Sequence, residues 1–78
     1  MTIVEMKRNF KTKIGYTRVK MVDKGFGIVK YQWSLCYPAD QEGKFVEYVQ
    51  NVYEMTKEEA NKKYLELKKQ GYESKIYK

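Results

Sequence analysis

KGFGIVKY, residues 24–31, is the stretch that decides the fold of this 78-residue chain. Apolar and polar residues alternate before it, over 14–22, and again from its last three residues onward, over 29–37, which is typical of strands that each bury one face. Asp23-Lys24-Gly25 fits a three-residue hairpin loop, a type I turn closed by Gly25 in the left-handed conformation. The pattern therefore predicts a β-hairpin that pairs residues 14–22 with residues 26–37.

The predicted loop also fixes the register of the hairpin, because strand pairing follows outward from the turn. Turn chemistry and the hydrophobic pattern agree on this register. The missing side chain of Gly15 leaves room for the indole of Trp33, which we expect to be substantially buried there. The predicted pairs are Val22 with Phe26, Val19 with Val29, Thr17 with Tyr31 and Gly15 with Trp33.

Residues 44–53 predict a third strand whose apolar side chains fall on both faces. Pro38 ends the preceding strand and Gly43 turns the chain, so residues 38–43 are expected to form a connection. Residues 3–10 predict a short first strand. The two apolar rows of the third strand are Val46, Tyr48 and Val52 on one face and Phe45, Val49 and Tyr53 on the other. The second row has no evident burial partner.

Thr56-Lys57-Glu58-Glu59 is a capping box that predicts a helix from Lys57 to Gln70. Its apolar stripe, Ala60, Tyr64 and Leu67, is expected to dock on the sheet over Trp33. Gly71 at C′ and Tyr72 packing back on Leu67 predict a Schellman ending, followed by a short strand over 72–77. The expected fold is α+β. It comprises one small domain, residues 1–78, with an antiparallel sheet of three to five strands, one C-terminal helix on one face and a short terminal strand.

Composition narrows the class of protein. Hydrophobic residues make up 42% of the chain and aromatic residues 15%, enough apolar material for a folded domain. No apolar run approaches a membrane span or a signal-peptide core, so we expect a cytoplasmic protein. The single Cys36 excludes an internal disulfide. Because histidine is absent, we expect no metal, no cofactor and no enzymatic activity.

The net charge of +6 is concentrated in the N-terminal half, where residues 1–37 carry eight Lys or Arg against Glu5 and Asp23. In the predicted register Arg18 lies across from Lys30, a mildly destabilising pair that a bound anion would relieve. An open sheet face of this kind predicts nucleic-acid binding, to DNA or RNA. The expected binding residues are Tyr16, Arg18, Lys20, Lys24, Phe26, Lys30 and Gln32.

Three local resemblances to known families also point to nucleic-acid binding. Residues 24–31 resemble the RNP1 octamer of the RNA-recognition motif, with Ile28 where an aromatic is usual, which implies aromatic stacking on bases. Only twenty-three residues precede this run, so the whole motif does not fit. Residues 19–29 also resemble the first hairpin of the cold-shock domain, without the aromatic at Met21.

Residues 31–69 resemble the sheet-plus-helix DNA-binding domains of phage and transposon integrases. The resemblance rests on the Trp33 strand, an Asp40-x-x-Gly43-Lys44 turn and the helix opened by Thr56. It implies a three-stranded sheet lying in the major groove with the helix bracing its back. A terminal strand after the helix departs from that family.

Two functions therefore remain open at the level of sequence. One is a small basic, non-enzymatic nucleic-acid-binding protein that uses an open sheet face. The alternative is an accessory protein of the kind encoded by phages or mobile elements, which binds and modulates a host protein. That protein would use an exposed strand edge or the tyrosine-rich faces.

Overall fold

The computed structural model describes residues 2–39 and 43–77, which form five β-strands and one α-helix. They are β1 (Ile3–Asn9), β2 (Tyr16–Gly25), β3 (Ile28–Pro38), β4 (Phe45–Thr56), α1 (Lys57–Lys69) and β5 (Glu73–Tyr77). All the strands join one antiparallel sheet in the order β4-β3-β2-β1-β5. The predicted α+β class is confirmed. Asp40, Gln41 and Glu42, part of the predicted connection, lie outside the described residues.

The β2–β3 hairpin forms as predicted, but the predicted register is wrong by four residues. Val19 lies opposite Trp33 rather than Val29. The chain turns at Phe26-Gly27, whose φ angles of +56° and +75° are both positive, as a type I′ turn requires. Because the shift is even, every side chain keeps its predicted face. The other predicted pairs are replaced by Val22 with Lys30 and Thr17 with Leu35.

The residues predicted to turn the chain instead lengthen β2. The Asp23 carboxylate accepts a hydrogen bond from the Gly25 backbone N–H at 2.8 Å, which holds a small irregularity at the strand end. Asp23 then pairs with Val29, and Gly25 pairs with Ile28. The added strand pairing offsets the conformational cost of placing Phe26 in the left-handed region of backbone space at the hairpin tip.

Helix α1 begins and ends as the sequence predicts. The Glu59 N–H donates to Thr56 Oγ1 at 3.2 Å, and the Glu59 carboxylate accepts from the Thr56 N–H, which completes the capping box. At the other end the Tyr72 N–H donates to the Leu67 carbonyl and the Gly71 N–H to the Lys68 carbonyl, both at 3.1 Å. These are the two bonds of a Schellman motif. The helix therefore occupies Lys57–Lys69 with Gln70 as its C-cap.

The core lies between α1 and one face of the sheet. Met6 and Val19, in neighbouring central strands, are completely buried at its centre. Partly buried Trp33 and Tyr64 pack against its margin. Tyr72 anchors the chain after the helix, because its hydroxyl lies 2.8 Å from the buried Thr17 hydroxyl. The other core residues are Met21, Val29, Tyr31, Met55, Ala60 and Leu67.

Gly15 does not make room for Trp33, contrary to the prediction. A Cβ at Gly15 would lie 2.5 Å from the Cys36 carbonyl oxygen and 2.7 Å from the ring of Phe10. The Phe10 N–H also donates to the Gly15 carbonyl at 2.9 Å. The glycine therefore allows the β1–β2 connection to fold tightly against β3, and its φ of +136° favours glycine independently.

Candidate functional site

The sheet face opposite α1 holds five of the seven residues predicted to bind nucleic acid. Alternation along the strands places core side chains such as Val19 and Tyr31 under the helix and their neighbours on the other face. We call this second surface the open face. The predicted residues on it are Tyr16, Arg18, Lys20, Lys30 and Gln32, whereas Lys24 and Phe26 lie at the hairpin end.

Arg18 is already paired with two carboxylates on the open face. Its guanidinium donates to Glu5 of β1 at 2.5 Å and to Glu47 of β4 at 3.0 Å. Burial alone would raise the pKa of Glu5, but the hydrogen bonds and charges of Arg18 and Lys7 hold it below its ordinary value. Arg18 lies across from Ser34, so the predicted juxtaposition with Lys30 does not exist. Its charge is satisfied within the protein.

Lys20 and Lys30 lie diagonally across the β2–β3 hairpin. Lys20 pairs with Gln32 in register, and Lys30 pairs with Val22, two positions closer to the turn. Each lysine also has an acidic cross-strand neighbour, Glu5 beside Lys20 and Glu54 beside Lys30. The open face therefore carries mixed charge rather than a continuous basic stripe.

Tyr16 lies at the far end of the open face in an aromatic and basic environment. The Phe45 ring centroid is 5.4 Å from that of Tyr16, and Lys7 Nζ is 5.2 Å from the Tyr16 centroid. Burial, with a contribution from the neighbouring Cys36 thiol, raises the pKa of the Tyr16 hydroxyl. Burial likewise raises the pKa of the Cys36 thiol, which keeps it protonated at neutral pH and a poor nucleophile.

The hairpin tip presents a fully exposed aromatic side chain. Phe26 has a relative exposure of 104% and occupies the left-handed region, where phenylalanine is uncommon. Lys24, two residues before it, has its Nζ 3.9 Å from a carboxylate oxygen of Glu54 in a solvent-exposed ion pair. An unsupported aromatic held in a costly conformation is a candidate contact residue.

The strand β4 is the most unusual surface of the molecule. Among the described residues it pairs only with β3, so its outer edge is free over 12 residues. Six large apolar side chains on it are 42–52% exposed. They are Phe45, Val46, Tyr48, Val49, Val52 and Tyr53. The sequence identified this strand, but its pattern did not reveal that both of its faces are exposed.

A β-bulge divides these side chains differently from the predicted rows. Trp33 lies opposite Asn51 and Ser34 opposite Val49, which leaves Gln50 as an extra residue in β4. The alternation of faces therefore inverts at Gln50. The helix side of the sheet receives Val46, Tyr48 and Tyr53, and the open face receives Phe45, Val49 and Val52.

An aromatic cluster continues this apolar surface on the helix side, toward the end of the sheet. The ring centroids of Phe10 and Tyr37 lie 5.5 Å apart, and those of Tyr37 and Tyr48 lie 5.8 Å apart. Lys13 Nζ lies about equally close to two of these rings, 5.0 Å from Phe10 and 4.9 Å from Tyr37. The cluster thus joins β4 to the β1–β2 connection in one amphipathic patch.

A cleft of about 610 Å³ opens between α1 and strands β1, β2, β3 and β5. Val4, Met21 and Ile76 line its floor, and Tyr64 lines one wall.

Within residues 2–39 and 43–77, no three Cys, Asp or Glu side chains cluster as metal ligands. Over the same ranges, no helix combines the length and apolar character needed to cross a membrane.

No protein-family model, curated protein sequence or solved structure matches this chain. Interpretation of function therefore depends on the surfaces themselves. Five of the seven residues that the sequence assigned to a site share the open face, but the guanidinium of Arg18 is already paired with carboxylates of the same chain. Strand β4, whose two exposed faces the sequence pattern did not reveal, carries more exposed apolar side chains than this set of predicted site residues.

Proposed function

We propose that this protein is a protein-binding module that docks an extended segment of its partner along the free edge of β4. The observation that carries the proposal is the row of half-exposed apolar side chains on both faces of that strand. Scattered surface apolar residues are ordinary, but a contiguous set on an edge strand marks an interaction surface. In this reading the protein acts in the cytoplasm as an accessory factor of the phage or mobile-element type.

Strand addition suits this edge for two physical reasons. Every second backbone N–H and C=O of an outer strand points away from its neighbour, so an incoming strand finds ready hydrogen-bond partners. Side chains of the incoming strand would also cover Val49 and Val52 on the open face and Tyr48 and Tyr53 on the helix side. The partner segment should therefore carry apolar residues toward both faces.

Nucleic-acid binding remains a second candidate because of the hairpin end. Lys20 and Lys30 are diagonal neighbours on the uncovered face, and Phe26 projects from the tip beyond them. Lysines would contact phosphates while an exposed aromatic ring stacks on a base. Glu5 and Glu54 beside the lysines weaken the attraction of this surface for a polyanion.

Selection from a displayed library of random peptides as long as β4, 12 residues, tests the first function. Selected peptides are titrated into ¹⁵N-labelled protein, and we expect shifted and exchange-protected amides within Phe45–Thr56. Val49→Lys should abolish binding, whereas Leu65→Lys, at an equally exposed apolar position on α1, should not. Shifts confined to other strands would reject the proposal, and so would failure to select any peptide when the protein is monomeric at the concentration used.

Fluorescence anisotropy at low salt tests the second candidate with single- and double-stranded DNA and RNA. If the hairpin binds phosphates, Lys20→Ala combined with Lys30→Ala should flatten the log–log salt dependence by about two. The matched control is Lys62→Ala combined with Lys69→Ala, which removes two exposed lysines from α1. Absence of binding at tens of micromolar protein would reject nucleic-acid binding.

A further inference from the structure

We propose that the segment that docks on β4 is β4 of a second copy of this chain, paired antiparallel about a two-fold axis between Gln50 and Asn51. This inference rests on the proposed use of the β4 edge and names its occupant. Two edge strands would then join two five-stranded sheets into one continuous ten-stranded sheet. Such an interface is isologous, because each strand supplies the same residues to its partner.

The bulge supplies the argument for a second copy. Before Gln50 the even-numbered residues of β4 lie on the helix side, and after it the odd-numbered residues do. A regular partner strand, whose side chains alternate between faces without a bulge, can place its side chains on the same faces as their neighbours along only one half of β4. An antiparallel β4 inverts its alternation at the same place, so side chains on both halves meet partners on their own face.

Full overlap and matched alternation select the same register. The strand spans Phe45–Thr56, so pairing all its residues places the two-fold axis at its centre. That centre falls between Gln50 and Asn51, immediately beside the bulge. A one-residue slip would bring side chains of opposite faces together.

The resulting neighbours are largely apolar. Val49 would face Val52 of the second copy at the centre, and Tyr48 would face Tyr53 on the helix side. These residues are all about half exposed in one chain and would lose that exposure on pairing. The outer pairs in this register are Val46 with Met55 and Phe45 with Thr56.

Glu47 faces Glu54 of the second copy in this register, a pairing of like charges that the two-fold axis repeats once. Each carboxylate already has a cation within its own chain, since Glu47 accepts from Arg18 at 3.0 Å and Glu54 lies 3.9 Å from Lys24. Those cations would screen the repulsion between the two glutamates. Pairing should accordingly weaken when Arg18 is removed.

Sedimentation equilibrium tests the association. Near millimolar concentration we expect the wild type to sediment at twice the 9.4 kDa of one chain. Val49→Lys should weaken dimerisation at least about a hundredfold, because the substitution enters a symmetric interface twice. Leu65→Lys should leave it unchanged, and circular dichroism should show that both variants fold. A wild type that stays monomeric near millimolar concentration, or a dimer insensitive to Val49→Lys, would overturn the inference.

Disulfide cross-linking tests the register. Val49→Cys and Val52→Cys proteins should each remain uncrosslinked alone, because equivalent positions lie about 10 Å apart, three residues along the strand. An equimolar mixture should form the crosslinked heterodimer under mild oxidation, while native Cys36 is buried and unreactive. Crosslinking of either variant with itself would contradict the register. If the wild type is monomeric but selected peptides still bind β4, only the second copy is wrong; if both fail, the proposed function also fails.

Discussion

Replacing Arg18 with methionine distinguishes a structural ion-pair residue from a free phosphate contact. The Arg18 side chain is about 25% exposed, and its guanidinium joins β2 to both β1 and β4 through Glu5 and Glu47. Arg18→Met keeps much of the aliphatic stem but leaves the carboxylate of Glu5, whose side chain is 15% exposed, without its main cation. Charge-assisted hydrogen bonds contribute about 1.5–3 kcal/mol each, and partial exposure reduces that figure. We expect the free energy of unfolding to fall by about 1–3 kcal/mol.

Thermal unfolding followed by circular dichroism measures this loss. For a domain of this size, each kcal/mol lowers Tm by about 4–8 °C, so the expected decrease is about 5–20 °C. Glu5→Gln in the Arg18→Met background should recover part of the loss. An unchanged or raised Tm in Arg18→Met would refute the reasoning and restore Arg18 as a candidate contact for an anion.

The same variant carries a pH signature. The pKa of Glu5 is lowered in the folded protein below its ordinary value of 4.5. Its contribution to stability is therefore present above pH 4.5 and is lost as the pH falls through the lowered pKa. The difference in stability between wild type and Arg18→Met should be constant near neutral pH and shrink in acid. A difference that persists unchanged in acid would contradict the role assigned to Glu5.

Three further predictions test local features of the fold by denaturant unfolding. Phe26→Asn should stabilise the protein by about 0.5–1 kcal/mol, because asparagine tolerates the left-handed turn position and no contact is lost; destabilisation would contradict this. Thr17→Val should cost about 1–3 kcal/mol because it leaves the buried Tyr72 hydroxyl unpaired, and more than Tyr72→Phe; equal costs would argue against that bond. Gly15→Ala should lower the free energy of unfolding by about 2–4 kcal/mol through steric overlap and backbone strain. Gly43→Ala is the control and should lower it by about 1 kcal/mol, because a Cβ there meets open space. Similar losses in the two variants would contradict the tight packing of the β1–β2 connection.

The parts of the fold that local chemistry determines could be read from the sequence. Helix α1 has its start encoded in Thr56 and Glu59 and its end in Gly71, all within one turn of the helix termini. The sheet face on which each hairpin side chain lies was also predictable, because a shift of the register by an even number of residues leaves every side chain on the same face. These features depend on neighbours in sequence, so no long-range information was needed.

The hairpin register depends on a balance between two competing turns, and the functional surface depends on contacts that are remote in sequence. The choice of turn balances the cost of Phe26 in the left-handed region against pairs such as Asp23 with Val29. Arg18 finds its carboxylates on β1 and β4, which no local pattern connects. The bulge at Gln50 has no sequence signature, yet it decides which side chains share a face of β4.

Amide hydrogen exchange along β4 tests most directly the claim that its free edge is an interface. The exchange rates are compared at low micromolar and near-millimolar protein, with Val49→Lys as the control that should not respond to concentration. We predict that alternate amides within Phe45–Thr56, those whose N–H groups point away from β3, become protected only in the concentrated wild type. Outward-pointing β4 amides that exchange freely at both concentrations, or protection confined to the β2–β3 hairpin tip, would contradict the account.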